Sequence, residues 1–233
     1  APFGTGRPGW HIEDTAITEG NFGPQYDIHG GAVDLIFPHH ECEIAQMESA
    51  SGLEPLVRYW VHTGFLNIDS KKMSKSLGNF KTIRGMLETG ISPMAFRLWV
   101  LMSHYRSPIN FSEEALRGAE TALKRLYGLY LDLGEEIGRV SQKHQGEFKK
   151  FLEDDLDTPQ AVALLWNLLK EKELPDADKK ATLLDFDKVL GLGLSNLKEE
   201  EIPEEILKIV AEREQARQDK DFQKSDKLRQ KIN

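Results

Sequence analysis

The spacing of apolar positions changes character at about Phe111. Beyond it, Leu116, Ala119, Leu123, Leu126, Tyr130 and Leu133 recur at alternating intervals of three and four, which on a helix draws one apolar stripe toward a partner. Ser112 precedes the stripe as a cap and Gly134 follows it as a stop. Thr158-Pro159 opens a second helix, with Leu164, Leu165, Leu168 and Leu169 in its core. A shorter helix carries Leu183, Leu184, Val189 and Leu190 and ends near Gly191. Pro203 opens one long charged helix with Ile206, Ile209 and Val210 inward, after an acidic linker at Glu199 to Glu201. Residues 112–233 therefore predict an all-α helical bundle with short links.

Before Phe111 the texture is mixed. Val33 to Phe37 and Phe65 to Ile68 predict short buried strands. Glu41 to Ala50 predicts a helix closed by Ser51 and Gly52, and Ser92-Pro93 predicts another helix start. Strands alternating with helices imply an α/β layer with a partly parallel sheet.

Composition narrows the class. A chain of 233 residues fits one to two domains and buries a core without cross-links. The longest apolar run, Met94 to Leu101, is broken by Arg97, so no membrane span is expected. The opening APFGTGRPGW lacks the features of a signal peptide, and a first residue other than Met suggests a piece of a longer protein. The single cysteine, Cys42, excludes a disulfide framework and a four-thiolate zinc site and points to a reducing, cytoplasmic setting. A net charge of −8 argues against a generally basic nucleic-acid binder. Between Arg58 and Arg84, however, six basic residues face one acid, Asp69. This local surplus can meet an anionic partner.

Three clusters can carry chemistry. In Asp27 to Asp34, paired glycines after a strand let a ligand approach the backbone, and Asp34 can bind ribose hydroxyls; a solvated glycine turn has the same pattern. In Pro38 to Glu43, a helix beginning near His39 puts His39 and Glu43 on one face, a spacing that suits a metal and equally an ordinary polar helix start. In Lys71 to Ser76, alternating lysine and serine can stabilise a leaving pyrophosphate, or form a solvated turn.

In this order, the clusters resemble the cysteinyl-tRNA synthetase family of class I aminoacyl-tRNA synthetases. The matching segments are GRPGWHIE (Gly6 to Glu13), DIHGG (Asp27 to Gly31), FPHHECEIAQ (Phe37 to Gln46), KMSKSLGNF (Lys72 to Phe80) and HYRSPINFSEEAL (His104 to Leu116), with a less specific charged segment over 211–232. The resemblance implies a Rossmann-like C-terminal half of a class I synthetase catalytic domain, followed by an all-α helical bundle. Residues 1–70 would be the second half of the catalytic domain, 71–111 the KMSKS loop and stem-contact segment, and 112–233 a truncated tRNA- or anticodon-binding bundle.

It further implies cysteine activation with ATP and transfer to tRNA(Cys). Lys72, Lys75, Ser74 and Ser76 would be the catalytic loop, with Lys75 also on ATP. His29, Gly30, Gly31 and Asp34 would bind ATP, and Trp10 would lie beside the substrate cysteine. His39, Glu43 and Asp14 would hold one Zn2+, and Mg2+ would accompany ATP. Asp14 stands where many members place a cysteine ligand, and aspartate is the harder donor. Cys42, one step from Glu43 on the helix, points elsewhere. The family's other thiolate ligand and its HIGH signature would lie upstream. The chain is thus expected to be a fragment inactive alone, partnered by its N-terminal half, monomeric when intact and not membrane-bound. A cysteine ligase acting on an amino-sugar acceptor and a noncatalytic tRNA-binding paralogue are the competing readings.

Overall fold

The computed structural model describes residues 2, 4–68, 71–73, 82–198 and 204–232, with backbone alone at 71–72, 204–205, 207 and 232. The chain forms two compact units, Ala1–Ser195 and Asn196–Asn233.

The first unit opens with α1 (Trp10–Phe22), a helix that the pattern did not announce: its N-cap is Gly9, which offers no side-chain acceptor. Thr15 ties α1 to the next helix, its hydroxyl donating to His11 O at 2.7 Å and standing 2.9 Å from the Gln46 side-chain amide. β1 (Tyr26–Ala32) then runs parallel to β2 (Val57–Thr63), pairing His29 with Trp60 and Gly31 with His62. Between them lies α2 (Glu41–Ser51), closed by left-handed Gly52 as expected. This is a β-α-β unit around Met47, Leu56 and Val57, against which Tyr26, Ile44 and Trp60 pack.

The strand expected at Val33 to Phe37 is not there. Val33–Leu35 form a 3-10 turn and Ile36–His40 a wide turn running into α2. Val33, Ile36 and Phe37 are 38%, 42% and 76% exposed, so this apolar run is not a core strand. The paired glycines likewise lie within β1 rather than after a strand.

β3 (Leu66–Ile68) is flanked by antiparallel β4 (Lys71–Lys72) and parallel β5 (Ile109–Phe111). Between them lie α3 (Ile83–Glu88) and α4 (Pro93–Leu101), the latter capped by Ser92 as the Ser-Pro signal predicts. α5 (Glu113–Leu131) is capped by Ser112, which accepts from Ala115 N, and buries Leu116, Ala119, Leu123, Leu126 and Tyr130. α6 (Gln142–Glu153) was not anticipated; α7 (Thr158–Lys170) is capped by Asp157, and α8 (Asp176–Leu190) ends at left-handed Gly191. In α8 Leu183 and Leu190 are core, whereas Val189 is 51% exposed and outside it.

In the second unit, the single long helix is a pair: α9 (Glu204–Gln218) and α10 (Phe222–Ile232), separated at Lys220, whose φ is 60°. Ala216 and Leu228 are buried there, while Val210 is 39% exposed rather than inward.

Candidate functional site

The side chains with chemistry converge where α1, the turn before α2, and the two parallel strands meet. His39 is fixed by the turn Ile36–His40 and Glu43 by the first turn of α2. One helical turn apart, they bring His39 Nε2 within 3.6 Å of Glu43 Oε1. α1 supplies Asp14, whose Oδ2 lies 3.0 Å from the same His39 nitrogen. Asp14, His39 and Glu43 each offer one ligand atom, all within 4.8 Å of one another. Trp10, the first residue of α1, stands over His39 with ring centroids 4.4 Å apart and is 59% exposed, open to a ligand. The predicted metal residues are therefore brought together, with Trp10 beside them. The groupings of close ligand atoms among the described residues do not include Cys42.

Glu43 is the electrostatic centre. It is 2% exposed, yet neither carboxylate oxygen has a hydrogen-bond partner among the described residues. Burial pushes its carboxyl above the ordinary value; His39 opposes the shift and Asp14 adds to it. A buried carboxylate without donors is costly unless a cation answers it. Donor spacing fits such a cation. Tetrahedral Zn2+ at about 2.0–2.1 Å from each ligand separates neighbouring donors by about 3.4 Å, and the contacts at His39 are 3.0 and 3.6 Å.

The residues expected to bind ATP lie in the C-terminal part of β1 and in the turn after it. His29 points toward Glu43, its Nε2 3.6 Å from Oε2. Gly30 and Gly31 follow in the strand, and exposed Asp34 lies in the 3-10 turn after it. Burial, with neighbouring His39 and His62, holds His29 below its ordinary value against the opposing pull of Asp14. Of the lysine-serine segment, Lys72 lies in β4; Ser74, Lys75 and Ser76 lie outside the described residues.

Sequence reasoning missed a second layer. Tyr26 Oη is 2.5 Å from His29 Nδ1, and His62 Nε2 is 2.9 Å from His40 Nδ1. The parallel rings of Trp60 and His62 stand 6.0 Å apart on β2. The usable signal is alternation: Trp60 and His62 share one face of a strand, opposite His29 and Gly31 on its neighbour. Burial and the nearby histidines bring His40 down to about 4.

The sequence model of the family described as tRNA synthetases class I (C) catalytic domain matches residues 1–121. Along its whole length the chain is 40% identical to the Cysteine--tRNA ligase of Caldicellulosiruptor saccharolyticus, covering 54% of that protein. It is 43% identical to that of Hydrogenovibrio crunogenus, again along its whole length, covering 53% of it. For the enzyme of Methylobacillus flagellatus the identity is 44%, over 98% of this chain and 52% of the relative. The chain thus spans about half the length of the curated relatives it matches. The fold is also similar to the LeuRS of Agrobacterium radiobacter, solved as a ternary complex with tRNA and LeuAMS. That likeness has a TM-score of 0.56 at 14% identity and covers 71% of this chain and 26% of the other.

Proposed function

The chain belongs to the class I (C) tRNA synthetases, and on that footing we propose that it is part of an enzyme that activates cysteine with ATP and transfers it to tRNA(Cys). The observation that carries this reading is the Asp14–His39–Glu43 grouping beside Trp10. Asp14, His39 and Glu43 would hold a Zn2+, which would supply a Lewis acid for the substrate thiolate and so a means of telling cysteine from serine and alanine, which an apolar pocket does only to about 1–3 kcal/mol. Trp10 packs beside the substrate side chain and shields it from water.

ATP, carried with Mg2+, lies along the C-terminal end of the parallel strands, the usual ligand position in such sheets. Gly30 lets it approach the backbone, Gly31 and His29 border it, and Asp34 accepts from ribose hydroxyls. The cysteine carboxylate attacks the α-phosphate, pyrophosphate leaves, and the terminal ribose hydroxyl of tRNA then takes the cysteinyl group. Lys72, Ser74, Lys75 and Ser76 stabilise the charge on the leaving pyrophosphate.

Chain topology supports that assignment. Ala32 pairs with Thr63 at the end of the parallel strands, and three residues later Leu66 O accepts from Met73 N at 3.2 Å. β2 thus leads directly into β3, beside which Lys72 lies, a short connection that supports placing the lysine-serine segment near Asp34.

We assign 1–70 to the second half of a Rossmann-like catalytic domain, 71–111 to the KMSKS and stem-contact segment, and 112–233 to a tRNA-binding bundle. The β1–β2 pair supports the remaining half as partner. Ile28 and Tyr59 are cross-strand neighbours 65% and 67% exposed, whereas parallel sheets are covered on both faces.

The test is cysteine-dependent ATP–pyrophosphate exchange by the full-length protein, set against serine and against Asp14→Ala. Fast exchange with cysteine alone, lost with Asp14→Ala together with bound zinc, is expected. Exchange equally fast with serine, or untouched by Asp14→Ala, overturns the reading.

A further inference from the structure

The turn between α6 and α7 holds two consecutive non-glycine residues in the left-handed region, Asp155 at φ 54° and Leu156 at φ 57°. At the ends of α2 and α8 the chain gives that conformation to glycine, Gly52 and Gly191. Aspartate tolerates it, but leucine adopts it rarely. Strain of this kind persists where the surroundings over-determine it. Here the surroundings are three successive side chains. The Asp155 carboxylate accepts from Tyr105 Oη and, in a two-pronged pair, from Arg106 Nε and Nη2. His104 Nε2 donates to its backbone oxygen at 3.0 Å. The donors are stacked on one another: the His104 and Tyr105 rings lie 4.9 Å apart, and the Arg106 guanidinium lies 5.1 Å from the Tyr105 ring. Among the described residues, every polar contact between this turn and the segment before β5 runs through Asp155. Exposed ion pairs add little to stability, whereas a two-pronged arginine–carboxylate pair fixes orientation.

The clamped segment is in turn sewn to the strands. Gly64 N donates to Tyr105 O at 2.8 Å and Ile109 N to Phe65 O at 2.9 Å. A Cβ on Gly64 would lie 2.4 Å from the Ser107 carbonyl carbon, so the two backbones touch. Gly64 and Phe65 form the link between β2 and β3, and β3 pairs with β4, which carries Lys72. On its other side the clamp stands on the turn from which α6 and α7 both run. Asp155 thus ties these two helices to the link between the strands.

We propose that Asp155 is a positioning residue: it sets the angle of α6 and α7 to the β2–β3 link, and so aligns tRNA carried on the helices with the strands that bear the ATP residues. This rests on the function proposed above. The strands themselves are built without Asp155, because the backbone bonds of Gly64 and Ile109 and the pairing of β3 with β5 do not involve its carboxylate. Activation of cysteine therefore does not need the clamp. Transfer to tRNA does, because a misplacement of about 1 Å far from the chemistry can cost about 10²-fold in rate.

The test uses the full-length protein and reads two steps on the same samples: cysteine-dependent ATP–pyrophosphate exchange, and single-turnover transfer of the cysteinyl group to tRNA(Cys). Asp155→Asn keeps the size and the left-handed backbone but cannot accept from both Arg106 nitrogens at once; Arg106→Gln removes the donors from the other segment. In each variant exchange should stay within about twofold of the parent, while transfer slows by about tenfold to a hundredfold. The double variant should be no slower than the single ones, because one clamp is lost only once. Arg106→Lys keeps the charge without the two-pronged pair and should not restore transfer. Exchange and transfer lost equally would make the clamp a prop for the fold and overturn the proposal. Transfer at the parent's rate in both single variants would overturn it too, leaving the proposed function standing. No cysteine-dependent exchange by the parent overturns both. The two substitutions lie on different segments, so if thermal melts show one variant unfolded, the other decides.

Discussion

Gly31 and His40 are packed so closely that a methyl group on Gly31 would lie 2.6 Å from His40 Cε1 and 2.9 Å from Nε2. Gly31 is not among the glycines with positive φ, so what the site requires of it is space. His40 cannot swing away: it is 3% exposed and bonded to His62. Gly31→Ala should therefore displace the ring and cost about 1–3 kcal/mol, as overpacking does. Gly30→Ala meets only Val61 O at 3.8 Å and should leave the melting temperature nearly unchanged. Equal melting temperatures for the two variants would show that the close approach is relieved elsewhere.

The same crowding explains what the sequence concealed. The helical part was legible because caps and stripes are local: Ser112, the Leu116 to Tyr130 stripe, Ser92-Pro93 and Gly52 all act as read. The reach of β1 through its paired glycines was missed because YDIHGGA puts a histidine and two glycines at the site instead of apolar side chains in a core. Its exposed neighbours Val33 to Phe37 carried the strand-like residues instead. Local rules fail where a segment supplies ligands instead of packing. His39 with Glu43 was visible as an i, i+4 pair, whereas His62 reaches the site only through the long-range register of two parallel strands. The break at Lys220 was hidden because polar residues fit a helix surface and a turn equally well.

Glu43 should behave as a residue whose role in binding opposes stability. In metal-free protein its carboxylate is buried without a donor. Glu43→Gln removes that charge at nearly constant volume and should raise metal-free stability by about 1–2 kcal/mol. The same change should abolish zinc binding. Thermal melts with a chelator, beside zinc titration of the same samples, check both. A variant less stable than the parent without metal would mean that the carboxylate is satisfied in solution.

Under the proposed function, Asp14 would set the character of the metal centre. An oxygen donor holds zinc less firmly than a thiolate and leaves more charge on the ion. Asp14→Cys should tighten Zn2+ binding by about tenfold or more. Competition with a chromophoric chelator measures it; unchanged affinity would remove Asp14 from the ligand set.

Away from the site, Asp155 joins the segment after α4 to the α6–α7 turn. Its carboxylate accepts from Tyr105 Oη at 2.6 Å and from Arg106 Nε and Nη2 at 2.5 and 2.9 Å. The Arg106 and Tyr105 hydrogen bonds hold Asp155 down to about 2. A carboxyl depressed in the folded state stabilises the fold above its ordinary value, near 3.9, and that contribution fades as pH falls toward the folded value. Asp155→Asn tolerates the left-handed φ of 54° and changes mainly the charge. Its melting temperature should lie below the parent's at pH 7, with the gap narrowing below about pH 4. A gap that stays constant down to pH 2 would mean that the ion pair contributes nothing.

The lysine-serine segment acts, under the proposed reaction, on charge that appears only as pyrophosphate departs. Lys75 should then contribute little to holding cysteine in the ground state and much to the activated complex. Removing one preorganised charge partner typically costs about 10²–10³ in rate. Lys75→Ala in the full-length protein should lower kcat for cysteine activation by about that factor, while KM for cysteine stays within about threefold. Lys72 pairs with Asn67 in β4 and belongs to the same segment, so Lys72→Ala should follow the same division. Pre-steady-state measurement of adenylate formation separates the two parameters. If KM rose as much as kcat fell, the segment would be holding substrate in the ground state, and its late role in the reaction would be wrong.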